Sequence, residues 1–319
     1  MTKLNTRNKS YNLEESPLYN IQYEQKLLKI LNISQNDLIF VRENLKDFYH
    51  SFSKKHRIIQ TPKNLLKQIH YRIGDLLARI AMPDYLMSGK KGASHIENAK
   101  LHLQEDLHVF TADIEKFFPS TKRQAIFKFF KNKLQCSHNI ATILSELCTT
   151  HEGRLPTGSQ LSMHLAFWTN YNMFEKIAKL SNQYDLRFSI FVDDLTFSGK
   201  TIPHNFKYQL KKIITSYGYQ INTKKILFFK PFKIRRVTGI YIKNDDPHLP
   251  NTFLRELHTA LQSWKDILKT SPDKLDKKKL ETTYNKLLGS INYAALLDKK
   301  YKQIRKKVIA EKQKITQYQ

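Results

Sequence analysis

Two adjacent aspartates, Asp193 and Asp194, stand inside an apolar stretch that runs from Phe188 to Phe197. A third, Asp113, follows another apolar run about eighty residues earlier in the chain. Ionised carboxylates are rare in strand cores unless a cation or a hydrogen-bond partner compensates their charge. Three carboxylates that converge from separate strands form an oxygen-ligand site suited to Mg²⁺, and two such ions can promote phosphoryl transfer. The three aspartates are therefore the first candidates for catalysis and metal binding.

The charge of the chain indicates a polyanionic partner. Its 319 residues include 54 Lys and Arg against 28 Asp and Glu, which gives a formal net charge of +26. Because ordinary domains lie closer to neutral, nucleic acid is the first candidate partner, and a generically basic surface is the alternative. Together with the aspartates, this charge indicates a nucleic-acid polymerase.

Neither a membrane nor an oxidising compartment is indicated. No apolar run approaches the roughly 20 residues of a spanning helix, and the first residues lack a signal-peptide core. The two cysteines, Cys136 and Cys148, fit neither a disulfide framework nor a zinc site. We therefore expect no membrane association and a cytoplasmic location, with both thiols buried.

The elements that must position the aspartates mix helices and strands, which predicts an α+β fold. The apolar run around the aspartate pair predicts a hairpin with the two acids at its tip. Predicted strands lie at 107–112, 187–192, 195–198, 219–222, 225–229 and 235–242. Predicted helices begin at Thr61-Pro62, near 121, near 138, after the loop 152–160 with one long helix to about Leu180, at Pro203 and from Pro250 onward.

Two short motifs contain the aspartates. One is Phe191-Val-Asp-Asp194, and the other is Thr111-Ala-Asp-Ile-Glu-Lys-Phe-Phe118. Both resemble motifs of reverse transcriptases, and over about residues 50–245 the chain resembles bacterial retron reverse transcriptases in particular. Phe and Val replace the Tyr and Ala that retron enzymes have before the aspartate pair. The resemblance implies RNA-directed DNA synthesis in which Asp113, Asp193 and Asp194 hold two Mg²⁺ ions.

The same resemblance implies roles for four further residues. Phe118 takes the steric-gate position, where an aromatic ring excludes a 2′-hydroxyl and so favours dNTPs; a core phenylalanine is the alternative. Arg57 resembles the arginine that binds the triphosphate, a task that suits a guanidinium fork. Gly158 allows close backbone approach to template or nucleotide. Lys225, at the end of Gly218-Tyr-Gln-Ile-Asn-Thr-Lys-Lys, is expected near the leaving pyrophosphate as a charge clamp or proton donor, and a surface lysine is the alternative.

Two segments are typical of retron enzymes among reverse transcriptases. They are Asn98-Ala-x-x-His102 and Val237-Thr238-Gly239. The resemblance implies that both segments serve retron-specific functions and that the second recognises the cognate RNA, and all five residues are candidates for RNA binding. From the residues alone, Thr238-Gly239 is also typical of a strand bulge, and His102 of a core histidine with satisfied hydrogen bonds.

The resemblance further implies a right-hand polymerase. We expect N-terminal helices and fingers in 1–105, a palm with an antiparallel sheet in 106–245 with fingers elements around 121–160, and a helical thumb in 246–319. Expected partners are a cognate non-coding RNA as template and primer, dNTPs, the RNA–DNA product and an effector or toxin protein, in anti-phage defence. The alternatives are another bacterial reverse transcriptase, of defence or group II intron type, and a non-catalytic RNA-binding scaffold on a polymerase fold.

Overall fold

A computed structural model describes residues 10–54, 57–269 and 276–317. These residues form two compact units. The first contains the described residues up to His102 together with Asp106–Pro231, and the second contains Leu103–Glu105 and the described residues from Phe232 onward. Both units mix helices and strands, which confirms the predicted α+β class. Within the described ranges, no helix combines the length and apolar character needed to cross a bilayer.

The strands and helices follow one another in irregular order. The strands are β1 (Tyr49–Lys54), β2 (Arg57–Pro62), β3 (His108–Asp113), β4 (Arg187–Phe191), β5 (Asp194–Gly199), β6 (Leu227–Phe229), β7 (Arg235–Val237), β8 (Ile240–Lys243) and β9 (Asp246–His248). The helices are α1 (Glu24–Leu31), α2 (Gln35–Glu43), α3 (Asn64–Ala78), α4 (His95–Lys100), α5 (Phe117–Ser120), α6 (Arg123–Lys128), α7 (His138–Leu147), α8 (Ser162–Thr169), α9 (Tyr171–Gln183), α10 (His204–Ser216), α11 (Asn251–Leu268), α12 (Lys277–Ala294) and α13 (Lys300–Gln317). Short 3₁₀ turns occur at Leu13–Glu15, Leu45–Phe48 and Thr223–Lys225, and a π-helical turn at Phe129–Lys133.

The central sheet of the first unit is antiparallel, with the spatial order β4-β5-β3-β6. Aromatic side chains build one of its faces: the rings of Phe188 and Phe197 stack at 5.0 Å, and Phe197 meets Phe206 of α10 at 4.9 Å. Because successive residues of a strand point to opposite faces, Asp194 and Ser198 lie on the other face. The sheet therefore separates an apolar core from a polar face that carries carboxylates.

A separate antiparallel hairpin, formed by β1 and β2, differs from the prediction. We expected a helix to begin at Thr61-Pro62, but these residues end β2, where Thr61 pairs with His50 and Pro62 with Tyr49. The helix, α3, begins two residues after the proline, at Asn64. Proline has no backbone N–H to donate to a neighbouring strand. It is tolerated at a strand end where that N–H would point away from the partner strand.

Three further elements differ from the sequence-based expectation, one of which is the strand expected at 235–242, where the chain instead forms the hairpin of β7 and β8. The long helix expected to reach Leu180 is divided into α8 and α9 at Asn170, whose side-chain Nδ2 donates to the Ala166 carbonyl at 2.9 Å. A side-chain hydrogen bond of this kind competes with the helical backbone pattern, which accounts for the break. The strand expected at 219–222 is reduced to one bridge between Ile221 and Ile114.

The second unit combines the antiparallel strands β7, β8 and β9 with the helices α11, α12 and α13. Its core contains Trp264 and Leu287, and the indole Nε1 of Trp264 donates to Glu311 Oε2 at 2.8 Å, which joins α11 to α13. The buried guanidinium of Arg235 donates to the Leu103 carbonyl at 2.6 Å. This contact explains why Leu103–Glu105 belong to this unit.

Candidate active site

The three predicted aspartates lie together at one end of the central sheet. Asp113 is the last residue of β3, Asp194 is the first residue of β5, and the strand register pairs them directly. Asp193 lies in the turn between β4 and β5, and its carbonyl accepts a hydrogen bond from the Ile114 N–H at 3.0 Å. One carboxylate oxygen from each aspartate lies within 4.8 Å of the other two. The predicted convergence of the three acids is confirmed.

The turn that presents Asp193 is strained at Val192. Its φ of +62° lies in the left-handed region, which β-branched residues rarely adopt. The buried hydroxyl of Ser88 accepts a hydrogen bond from the Val192 N–H at 3.0 Å. The residue before Ser88 also pairs with β4, because the Met87 N–H donates to the Ile190 carbonyl at 2.8 Å. Strain of this kind persists where surrounding contacts fix the backbone, and it is concentrated at functional sites.

Lys225 approaches the cluster from a short turn after α10. Its Nζ donates to Asp113 Oδ2 at 2.6 Å. Two backbone hydrogen bonds position this turn, from the Asn222 N–H to the Asp113 carbonyl at 2.8 Å and from the Lys225 N–H to the Asn222 carbonyl at 3.0 Å. Lys225 was expected near the site, whereas Asn222, in the same motif, was not among the candidate site residues.

Burial and like charge set the electrostatics of the cluster. Burial raises the pKa of the Asp193 carboxyl, and the negative charge of Asp113 raises it further. The positive charges of Lys225 and Arg57 lower the same pKa. Closely spaced carboxylate oxygens are hard ligands that suit Mg²⁺, Mn²⁺ or Ca²⁺ better than softer metals. The donor set of the three aspartates therefore fits a divalent cation.

The strand β2 brings together Arg57 and the loop that contains Gly158. Arg57 is the exposed first residue of β2. The Gly158 N–H donates to the Gln60 carbonyl at 3.0 Å. A Cβ atom at Gly158 would lie 2.5 Å from Thr61 Oγ1 and 2.9 Å from the Gln60 oxygen. In the structure Gly158 therefore packs closely on β2 of the same chain, and its expected approach to template or nucleotide stays a prediction.

Phe118 and its neighbour Phe117 differ in burial. Phe117 is 3% exposed and belongs to the core, whereas Phe118 packs only partly against that core. Their rings lie 5.9 Å apart. Lys116, at a φ of +48°, turns the chain sharply between β3 and this pair. The partly exposed ring of Phe118 is able to meet a ligand, and its steric-gate role stays a prediction.

The chain is similar in sequence to proteins of known function. No family model matches it. It is 28% identical over 242 residues to the Retron Se72 reverse transcriptase of Salmonella heidelberg (strain 579083-10), a match that covers 70% of this chain and 62% of that protein. It is 27% identical over 211 residues to the Retron Ec86 reverse transcriptase of Escherichia coli, covering 65% of each. This chain is similar to retron reverse transcriptases.

The chain spans less than two thirds of the length of either curated relative, with 62% and 65% of their residues matched. Among solved structures, one match is telomerase from Candida albicans in complex with the TWJ fragment of telomeric RNA. That match has a TM-score of 0.45 and 11% sequence identity, and it covers 78% of this chain and 55% of the telomerase chain.

The first segment that resembles retron reverse transcriptases lies inside the first unit. Asn98, in α4, and His102, two residues after α4, are both 0% exposed. The His102 ring lies between two hydroxyls, with Nδ1 2.7 Å from Ser198 Oγ and Nε2 2.8 Å from Ser189 Oγ. These side chains contact the protein interior, so a direct contact with RNA would require this part of the fold to open. Neither serine was a predicted site residue.

The second segment that resembles retron reverse transcriptases forms the turn between β7 and β8 in the second unit. Val237 is buried and pairs with Ile240 across the turn. Thr238 and Gly239 have φ values of +45° and +84°. Two positive φ values at the centre of a two-residue hairpin are typical of a type I′ turn, in which glycine is favoured and threonine is unusual. A role of these three residues in RNA recognition stays a prediction.

Proposed function

We propose that this chain is a retron-type reverse transcriptase, an RNA-directed DNA polymerase that copies a cognate structured non-coding RNA into single-stranded DNA. One observation carries the proposal: three carboxylates lie within 4.8 Å of one another at adjacent strand ends, in a chain similar to retron reverse transcriptases. The net charge of +26 supports a nucleic-acid partner. We propose a role in anti-phage defence, with an effector or toxin protein as a further partner.

The proposed chemistry assigns a task to each residue of the cluster. Asp113, Asp193 and Asp194 would hold two Mg²⁺ ions. When bound, these ions would lower the pKa of the attacking hydroxyl and stabilise charge on the reacting phosphates. Lys225 would neutralise the departing pyrophosphate or donate a proton to it. Its side chain is 46% exposed and its Nζ already lies beside Asp113, which supports this role.

Residues outside the aspartate cluster would bind the incoming dNTP. The guanidinium of Arg57 would bind the triphosphate through paired N–H donors. Gly158 would act indirectly, because its loop packs on β2 and so fixes the strand that begins with Arg57. Phe118 would exclude a 2′-hydroxyl.

The rest of the chain would bind the RNA and the RNA–DNA product. We propose fingers within 1–105 and around 121–160, a palm in 106–245 and a thumb in 246–319. Lysines of the thumb would contact the phosphate backbone, which gives affinity that falls steeply with salt. The turn Val237–Gly239 would recognise the cognate RNA, whereas Asn98 and His102 would act from inside the fold.

The proposal is tested by expressing the chain with the non-coding RNA encoded beside its gene. The expected result is a DNase-sensitive, ribonuclease-resistant species that is absent from Asp193→Asn cells. Asp47→Asn, which changes an exposed aspartate outside the cluster, is the matched control and is expected to keep the product. Purified protein with primer, RNA template and dNTPs should reproduce the difference.

Three results would change the assignment. Identical nucleic-acid profiles in wild type and Asp193→Asn would contradict a polymerase. Tight RNA binding without DNA synthesis would favour a non-catalytic scaffold. Efficient copying of generic templates, with no preference for the neighbouring RNA, would favour another class of bacterial reverse transcriptase.

A further inference from the structure

A buried histidine bridges the two strands that carry the aspartate pair. The His102 ring lies within hydrogen-bond distance of Ser198 Oγ, at 2.7 Å, and of Ser189 Oγ, at 2.8 Å. Ser189 belongs to β4 and Ser198 to β5, and each of the three residues is at most 1% exposed. A neutral imidazole has one donor and one acceptor nitrogen, and a hydroxyl can complement either, so both contacts can form at once.

The two serines flank the aspartates symmetrically along the chain. Ser189 lies four residues before Asp193, and Ser198 lies four residues after Asp194. The register pairs Ser189 with Thr196, so Ser189, Ser198 and Asp194 lie on the same face of the sheet. The histidine therefore contacts the stem of the hairpin on the face that carries Asp194.

The backbone around His102 is itself fixed. Its N–H donates to the Ala99 carbonyl at 3.0 Å, which closes a turn directly after α4. Arg187, which is on the same face of β4 as Ser189, donates to the carbonyl of Leu101. The ring thus extends from a turn that β4 also holds, and it has little freedom to follow a shift of β5 relative to β4.

We propose that His102 is a positioning residue, which acts through Ser189 and Ser198 to fix the separation and register of β4 and β5 and thereby the placement of Asp193 and Asp194 beside Asp113. This inference rests on the proposed function, and it replaces a direct contact between His102 and RNA. A rigid bridge matters here because sites of this kind tolerate displacements of only about 0.5 Å. A one-residue slip in the register of β4 and β5 would turn the side chains of the slipped strand to the opposite face of the sheet.

Three variants test the bridge: His102→Ala, the double variant Ser189→Ala with Ser198→Ala, and the combination of all three changes. Ser145→Ala is the matched control, because it removes a buried hydroxyl that donates to the Thr142 carbonyl in α7. Four quantities are measured: kcat and KM for single-nucleotide incorporation on a primed template, Mn²⁺ affinity by electron paramagnetic resonance, affinity for the cognate RNA, and the melting temperature.

We expect kcat and Mn²⁺ affinity to fall about 10- to 100-fold in His102→Ala, the range typical when a residue behind metal ligands is lost. In the incorporation assay, KM for the primed template should stay within about twofold of wild type. Affinity for the cognate RNA should also stay within about twofold. The double serine variant should show the same pattern, and the combined variant should be little worse than His102→Ala alone, because all three changes remove one unit.

Unchanged Mn²⁺ affinity in both His102→Ala and the serine variant would overturn the proposal. So would weaker RNA binding in His102→Ala with normal RNA binding in the serine variant, which would indicate direct contact with RNA. If wild type binds Mn²⁺ but makes no DNA, the polymerase assignment fails while the Mn²⁺ comparison still decides the role of His102. If His102→Ala does not fold, the serine variant, which removes only two hydroxyl groups, decides it.

Discussion

Lys225 donates a 2.6 Å hydrogen bond to Asp113, and the side chain of the lysine is 46% exposed while that of the aspartate is 5% exposed. One buried carboxylate of the cluster is therefore balanced by an ammonium that solvent and ligands can still reach. Because the lysine is half-exposed, the ion pair contributes less to stability than a fully buried pair would. Its placement favours a role in the reaction over a role in the core.

Replacement of Lys225 by Ala should lower the rate of nucleotide incorporation by about 100-fold, the usual cost of losing one group that stabilises developing charge. Lys225→Arg keeps the charge and should recover part of the rate. Single-turnover incorporation measures both. The control is Lys224→Ala, since Lys224 is the exposed neighbour in the same turn. Equal rates for the 224 and 225 variants would remove Lys225 from the proposed mechanism.

Asp193→Asn should abolish polymerisation and yet stabilise the protein without divalent cations. Burial and the charge of Asp113 raise the pKa of Asp193, so the folded state takes up this proton at higher pH than the unfolded state does. Stability is therefore lost as pH rises through the folded pKa, and the charged carboxylate is unfavourable at neutral pH. Melting temperatures in a chelator should be higher for the variant at neutral pH, with a gap that narrows on acidification.

Divalent cations should reverse that order. Added Mg²⁺ binds the folded wild type and raises its melting temperature, whereas Asp193→Asn should respond weakly because a ligand is missing. Asp47→Asn, the exposed control, should behave as wild type in both conditions. If millimolar Mg²⁺ leaves the melting temperature of the wild type unchanged, the assignment of Asp113, Asp193 and Asp194 as metal ligands is contradicted.

Relief of the strain at Val192 should stabilise the fold. Asparagine tolerates a φ near +62° far better than a β-branched residue, so Val192→Asn should raise the free energy of unfolding by about 1 kcal/mol. Ser88→Ala should act in the opposite direction, by about 1–3 kcal/mol, because the Val192 N–H loses its acceptor. Urea unfolding measures both changes. Destabilisation by Val192→Asn would show that contacts of the valine side chain outweigh the strain.

Gly158→Ala should lower affinity for dNTP. The added Cβ would lie 2.5 Å from Thr61 Oγ1 and 2.9 Å from the Gln60 oxygen, so the loop and β2 must separate. That separation would displace the strand that begins with Arg57, and KM for dNTP should rise about tenfold. Gly92→Ala provides the control, because a Cβ there meets no atom within 4 Å, although its φ of +79° adds local strain. A KM at the wild-type value would show that the strand does not carry the effect.

Mild acid should destabilise the protein through two buried imidazoles. Burial lowers the pKa of His70 to about 4 and that of His164 to about 4. Between about pH 6.5 and about pH 4 the unfolded chain binds protons that the folded state cannot, so stability falls as pH falls, on the order of 3 kcal/mol for each residue. Unfolding in urea from about pH 7.5 to about pH 4.5 measures the slope. His70→Asn should flatten it, and the exposed His151→Asn serves as its control.

The aspartate cluster was predictable because its signal is local and chemically unusual. Burying a charged residue inside an apolar run is unfavourable unless a partner compensates its charge. The apolar residues that flank Asp193 and Asp194 are typical of the two strands of a hairpin. Lys225 was expected near the site only through the resemblance of its motif to reverse transcriptases, because on a lysine-rich chain the residue alone is equally typical of the surface. The α+β class followed from the alternation of apolar patterns along the chain.

The contacts that support the cluster were not predictable from local pattern. Ser88 meets Val192 across about a hundred residues of sequence, and the two serines beside His102 look like ordinary strand residues. Thr61-Pro62 has the composition of a helix start, but pairing with β1 overrides that preference. The conformation at these positions depends on contacts with residues that are distant in sequence. Those contacts cannot be identified from a single sequence.

The pairing of β3 with β5 has a consequence during translation. Asp113 leaves the ribosome about eighty residues before Asp194, and Lys225 follows later still. Non-local strand pairs of this kind form slowly, and they cannot form at all while one strand remains in the exit tunnel. The three aspartates therefore cannot come together until β5 has emerged, and a translation product that stops before Asp193 carries Asp113 without its two partners.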